Sequence, residues 1–517
     1  MKPLRIYWTL LLIMFIAGCS PTKSIAIPVA EPDYWPTAGW RSSTPEAQDM
    51  DSRLLAEMIE DISTDGTSIH SVLVIRNGYL VAEAYVHPYT RDTKMHIQSV
   101  TKSVIGALVG KAIGDGYIKS ADEKLLDFYP NRVFEIPGGR KDSIQLKHLL
   151  SMSSGLDCQE FSGGPSMEQT QGWVQFMLDL PVTSTPGKVF SYCNGNAHLL
   201  SSILELSTGM SAREYANQEL FEPLGIPDVS ETDWGSDPQK ITLAGYGLHL
   251  RPVDIAKLAF LYLHNGQWED QQIISPGWVA DSTTQHVQKE DGSGYGYLWT
   301  VYPEDDHYAA LGLGGQQIHV YPSENLIVIV TASLESFAEA PEIEKILREY
   351  ILPALQAGDP PGEHPEIYSR LQTAIETAAN PIQSVPPLPA TALDISGSMY
   401  AFKENPMGWS TLKFVFQEGA QTSQLYLQDF PVLEIGLDNI YRKSSGEAIG
   451  ELRGRWVDAE TFVVDYPYPA AGAPVLGELG ETEFRFKFTG DNVEVTVQQL
   501  VFGGEAIVLQ GSRGENS

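Results

Sequence analysis

Apolar residues crowd Val72-Leu73-Val74-Ile75 and alternate with polar ones through Tyr79 to Val86, and the Asn77-Gly78 pair between them supplies the positive φ of a tight turn. The run predicts a β-hairpin. Farther on, the unbroken apolar stretch Val104-Ile105-Gly106-Ala107-Leu108-Val109 predicts a helix, and Ala197 to Leu204 carries a second helical pattern. Strands resume near 308–333, including Leu326-Ile327-Val328-Ile329-Val330, and a helix near 341–355 closes this unit. Strands from its two ends are expected to pair in one sheet, with the helical middle as a cap. After Leu355 the composition changes: Gly358-Asp359-Pro360-Pro361-Gly362 precedes a short helical segment, followed by Pro381, Pro386, Pro387 and Pro389. Short β-rich runs such as Gln424-Leu425-Tyr426-Leu427 and Val493 to Val497 then predict a small antiparallel barrel or sandwich, in which Trp409, Tyr426 and Phe430 either fill the core, the expected role, or line a binding face. The expected division is a tether over 19–45, a first domain over 46–356, a linker over 357–392 and a β domain over 393–517.

The N-terminus changes this picture. A basic start, Met1-Lys2-Pro3-Leu4-Arg5, leads into a short apolar run, Ile6 to Ile16, too brief for the roughly 20 residues of a spanning helix and typical of a signal peptide over 1–18. It ends in Ile16-Ala17-Gly18-Cys19, which resembles the lipobox of bacterial lipoproteins. The expectation is cleavage before Cys19, acylation of that residue and a membrane-anchored protein facing the periplasm, with Ser20 pointing to the outer membrane; simple secretion is the alternative. The 517 residues carry a net charge of −32, which becomes −34 when Lys2 and Arg5 leave with the leader. Such a surface repels nucleic acid and anionic headgroups, so no nucleic-acid partner is expected. No H-E-x-x-H motif or Cys/His cluster is present, so neither a metal nor a cofactor is expected.

The chemistry begins at Ser99-Val100-Thr101-Lys102. On a helix, positions three apart share a face, so an ammonium reaches back to an alcohol at the helix N-terminus, where unpaired N–H groups favour developing negative charge. The same spacing occurs at Ser20–Lys23, in the tether, and at Ser410–Lys413, where strand-like alternation points the two side chains to opposite faces. A second motif, Tyr192-Cys193-Asn194, follows the turn residues Pro186-Gly187-Lys188. A phenol with an ordinary pKa of about 10 is a poor base, but a neighbouring ammonium stabilises its anion, and an asparagine amide both donates and accepts. The third is Gly312-Leu313-Gly314-Gly315-Gln316, ahead of Gln317 to Pro322, a glycine-rich entry onto paired strands where an N–H near Gly315 is expected to serve as a second oxyanion donor beside that of Ser99; a plain hairpin turn is the alternative.

Ser99-x-x-Lys102, Tyr192-x-Asn194 and the glycine-rich strand entry, in this order, resemble the penicillin-recognising serine hydrolases, specifically their class C β-lactamase-like branch. His148 to Asp157 and Gly247 to Leu258 resemble that branch too. The resemblance spans about residues 50–355 and implies an α+β fold, an antiparallel sheet flanked by helices with a mostly helical subdomain, and a Ser99 acyl-enzyme with Lys102, Tyr192 and Asn194 as partners and Gly314, Gly315 and Gln316 near the oxyanion. One departure bears on substrate. Family members acting on penicillins or D-alanyl peptides usually carry Lys or His at the start of the third motif, where Gly312-Leu313-Gly314 stands here, and His307 and His319 are read as packing or surface residues. The expected reaction is therefore hydrolysis of a small neutral ester or amide. The alternatives are a binding or scaffolding lipoprotein of the same fold, and weak β-lactamase or D,D-peptidase action. Cys158 and Cys193 each sit beside a family-like motif and either form a disulfide or remain free thiols.

Overall fold

The computed structural model describes residues 31–63, 68–133, 139–158, 165–334, 341–355, 365–381, 385–428, 431–443, 451–466, 482–499 and 506–514. The leader, Cys19, Ser20–Lys23, the Gly358–Gly362 stretch and Phe430 lie outside them.

Helix α1 (Ser52–Ile62) precedes the hairpin of β1 (Ile69–Arg76) and β2 (Tyr79–Tyr85), whose turn residues Asn77 and Gly78 have φ of 52° and 84°. Helices α2 (Val100–Gly114), α3 (Asn194–Thr208) and α4 (Pro252–Leu263) follow. Then come β3 (Val287–Gln288), β4 (Gly294–Tyr295), β5 (Thr300–Tyr302), β6 (His307–Gly312), β7 (Gln316–Tyr321) and β8 (Leu326–Ala332). The sheet runs β2-β1-β8-β7-β6-β5-β4-β3, so the first and last long strands are neighbours, with Val74 opposite Val328. Alternate residues of β1 and β8 enter different cores: Leu73, Ile75, Ile327 and Ile329 pack with α2, α3 and α4, and Val72, Val74, Val328 and Val330 pack with α1. Burial on both faces explains why these strands read as continuous apolar runs.

Helix α2 is buried over most of its length, which is why its central run Val104 to Val109 is apolar on every side. The Trp278 indole lies directly on it, donating to the Gly106 carbonyl at 3.0 Å, and a Cβ on Gly110 would overlap the ring. Gly110→Ala is therefore expected to cost about 1–3 kcal/mol through overpacking. The urea midpoint checks this, and an unchanged midpoint would contradict the packing.

Two boundaries differ from expectation. Residues 31–45 are docked rather than a free tether: Trp40 donates to the Val253 carbonyl at 2.9 Å, Trp40 and Trp35 both pack on Phe260, and Tyr34 donates to the Gly78 carbonyl. Packing of three aromatic rings, Trp40 buried and Tyr34 and Trp35 half-buried, outweighs the polar composition around them. Likewise, α5 (Pro365–Ala379), placed in the linker by its flanking prolines, lays Leu371, Ala374 and Ala378 into the core under α1, and Arg370 pairs with Glu60 across the junction. Its apolar residues recur at helical spacing, a stronger signal than the prolines around it.

The C-terminal strands are β9 (Met399–Phe402), β10 (Thr411–Val415), β11 (Thr422–Leu427), β12 (Leu433–Gly436), β13 (Glu451–Trp456), β14 (Thr461–Tyr466), β15 (Thr482–Thr489), β16 (Asn492–Gln499) and β17 (Ile507–Arg513). They form a closed barrel in the order β12-β11-β10-β9-β17-β16-β15-β14-β13, sealed by a parallel β12–β13 pairing. Phe414, Phe462, Phe486 and Phe488 belong to its core together with Trp409. Tyr426 sits on the outer face under the Lys413 ammonium, 4.0 Å from its ring centre. Ser410 bonds Gln428 instead of Lys413, as the alternation in β10 requires.

Candidate active site

The turn into α2 builds the centre. Gln98 has φ of 49°, and Ser99, at the N-cap of α2, accepts the Lys102 N–H at its carbonyl. One helical turn brings the Lys102 ammonium to the Ser99 hydroxyl, Nζ to Oγ 3.0 Å. The Tyr192 hydroxyl reaches the same Oγ at 2.7 Å. Lys102 Nζ also donates to Asn194 Oδ1 at 2.6 Å and to the Gly245 carbonyl at 2.5 Å, so all three ammonium hydrogens have acceptors on a side chain that is 1% exposed. The same nitrogen stands 4.7 Å from the Tyr192 ring centre. Residues 99, 102, 192 and 194 are thus in one hydrogen-bonded cluster.

Tyr192 and Asn194 are held from several sides. The Ser191 N–H donates to the Met152 carbonyl at 2.8 Å, Asn194 opens α3, and Cys193 between the two is bonded to Cys158. The disulfide resolves the alternatives left by the sequence. It closes a span of 35 residues, and its removal by Cys158→Ser with Cys193→Ser is expected to lower stability by about 3–4 kcal/mol through the entropy of the freed chain. Unfolding midpoints with and without reductant test this, and equal midpoints would refute it.

The third motif is placed partly as expected. Gly312 ends β6 against the nucleophile turn, where a Cβ would come within 2.8 Å of the Ile97 carbonyl and 3.1 Å of the Gln98 side chain. Gly314 and Gly315 both have positive φ, but the Gly315 N–H donates to the Gly312 carbonyl at 3.2 Å. Closing the turn consumes the hydrogen that an oxyanion donor would need, which corrects the role expected of Gly315. The Gly314 carbonyl accepts from Leu334 at 3.0 Å, and the buried Gln316 amide donates to the Ala332 carbonyl, so both brace the sheet. Among the described residues no acceptor takes the Ser99 N–H.

His307 and His319 do not replace the missing cation. They form a pair, Nε2 to Nδ1 3.0 Å, with His307 stacked on Tyr302 and Tyr321 and His319 Nε2 bonded to Gln317 at 2.6 Å. Burial and the neighbouring His319 push His307 down to about 2, and burial pushes His319 down to about 3. Both rings are neutral at ordinary pH. Sequence reading missed Gly245, whose carbonyl completes the Lys102 shell and whose Cβ would stand 2.8 Å from that of Asn194. Its only sequence signal is the Gly245-Tyr246-Gly247 spacing, which carries no chemistry of its own. Tyr295 was missed too. It packs on Phe190, and burial, with the Tyr192 oxygen nearby, pushes its phenol well above the usual range.

Comparison with known proteins agrees with this geometry. The 6-aminohexanoate-dimer hydrolase of Paenarthrobacter ureafaciens is 24% identical over 311 residues, which cover 54% of this chain and 75% of that protein. A D-aminopeptidase of Brucella anthropi is 30% identical over 146 residues, 27% of this chain and 26% of that one. A Bacillus anthracis structure provisionally assigned as a 6-aminohexanoate-dimer hydrolase superposes with a TM-score of 0.50 at 20% identity, covering 64% of this chain and 90% of its own, which bears on the fold. The family model described as Beta-lactamase matches residues 53–350, more than half the sequence and the whole span that carries Ser99, Lys102, Tyr192 and Asn194. By that match and by the cluster it contains, the chain belongs to the beta-lactamase family.

Proposed function

We propose that this chain is a serine hydrolase that cleaves a neutral ester or amide through an acyl-enzyme on Ser99. The observation that carries the reading is the Ser99 oxygen, bonded at once to a phenol at 2.7 Å and an ammonium at 3.0 Å. The short Tyr192–Ser99 bond serves with the proton on either oxygen. With Tyr192 as the anion, Oγ attacks the carbonyl carbon as its proton passes to the phenolate, and the adjacent Lys102 charge favours that anion beforehand. Asn194 and the Gly245 carbonyl hold Lys102 in place. The carbonyl oxygen, turning anionic, meets the Ser99 N–H at the positive end of α2. Tyr192 then returns the proton to the leaving alcohol or amine, and a water molecule repeats the sequence to free the acyl group. Neither Gly312-Leu313-Gly314 nor the neutral His307–His319 pair offers a cation to a substrate carboxylate, which supports neutral substrates over penicillins or D-alanyl peptides. The names of the two relatives, a dimer hydrolase and a peptidase, fit an amide bond. A fluorophosphonate probe, an ester and amide panel and nitrocefin test this together. Ser99-dependent labelling with turnover of neutral substrates is expected, whereas labelling-free protein would favour a binding role, and nitrocefin turnover or penicillin capture would favour β-lactam chemistry.

We further infer that the mature protein is exported and anchored through acylated Cys19, on the strength of the basic, apolar and small-residue sequence from Met1 to Cys19. Several acyl chains would hold it where one is marginal. Incorporation of labelled palmitate, lost in Cys19→Ala, is the expected result.

A further inference from the structure

The Gly245 carbonyl that receives the Lys102 ammonium lies on an irregular segment, and something must aim it. Just after it, His249–Leu250 pairs antiparallel with Met95–His96, and the Ile97 N–H donates to the Leu248 carbonyl at 2.9 Å. Between these bonds and Gly245, Gly247 has φ of 103°, a conformation open to glycine, and its N–H points to the His96 ring, N to Nε2 2.9 Å. His96 is half-buried and stacks on His249, with ring centres 4.7 Å apart. An Nε2 that accepts leaves the neutral ring's proton on Nδ1, and burial together with His249 holds this imidazole well below its usual range. The ring is thus kept in the one state that accepts the Gly247 N–H.

We propose that His96 is a positioning residue for Lys102: by accepting the Gly247 N–H it holds the Gly245 carbonyl against the ammonium. The same short stretch, 95–102, then contributes the nucleophile, the cation and the anchor of the cation's third acceptor. Loss of that acceptor removes one of the bonds that fix Nζ and loosens its place beside Ser99 and Tyr192. Small misplacements of a catalytic group lower turnover more than substrate binding.

The inference rests on the Ser99 reading, and its test separates the two. His96→Gln places an amide oxygen near the former Nε2, His96→Asn places one near Nδ1, and His96→Leu has no acceptor. In the full chain, Leu and Asn variants are expected to lose about tenfold in kcat with KM within about threefold, and the Gln variant to stay near wild type. Hydrogen exchange of the 245–248 amides should quicken in the Leu and Asn variants and not in Gln. Equal kcat and equal exchange in Gln and Asn would overturn the proposal, and the Asn variant decides it even where Leu fails to fold. If the wild-type protein is not labelled at Ser99 the hydrolase reading falls, while the exchange pattern still shows whether His96 holds the segment.

Discussion

Ser99→Ala is expected to abolish fluorophosphonate labelling and to lower hydrolysis of the best ester or amide by about ten-thousand-fold or more, because the acyl-enzyme has no other oxygen to form on. The substitution removes one small hydroxyl whose partners, Tyr192 and Lys102, keep other contacts: Lys102 still meets Asn194 and Gly245. The unfolding midpoint should hardly move. Activity retained in Ser99→Ala would end the mechanism, since among the described residues no second Ser-x-x-Lys pair takes its place: Ser410 and Lys413, at a barrel strand, have other partners.

Lys102→Met should lower kcat/KM by about a thousandfold, near 4 kcal/mol of transition-state stabilisation, and slow probe labelling in proportion. Met keeps an unbranched stem but removes the charge that stabilises the Tyr192 anion and orders the serine. The effect on folding has opposing parts. Asn194 Oδ1 and the Gly245 carbonyl lose a donor, at about 1–3 kcal/mol for each buried unpaired group, while the cost of burying an ammonium disappears. A small midpoint shift beside a large kinetic loss is therefore expected, read by urea unfolding and by the rate of fluorophosphonate labelling. Near-wild-type labelling would show that Tyr192 works without the cation.

Local signals were legible where local physics governs. The Asn77-Gly78 turn, the apolar α2 and the pairing of terminal strands followed from turn chemistry and periodicity, and the spacing of Ser99 and Lys102 followed from one helical turn. Composition misled where a few residues outweighed the rest. Three aromatic rings dock residues 31–45, and Leu371, Ala374 and Ala378 draw α5 from an apparent linker into a core. Phe430 and the leader lie outside the described residues.

The amino-acid order alone established which residue types the site has at hand, their helix-turn spacing and the absence of a cation in the third motif, since these depend on covalent order and short-range geometry. It could not say that the Gly315 N–H is consumed by its own turn, that Cys158 meets Cys193, or that a carbonyl at 245 completes the shell of a lysine 143 residues away. The first depends on the dihedrals a glycine turn adopts in the folded sheet, and the other two join groups far apart along the chain; a peptide carbonyl looks the same at every position until folding decides which one faces the charge.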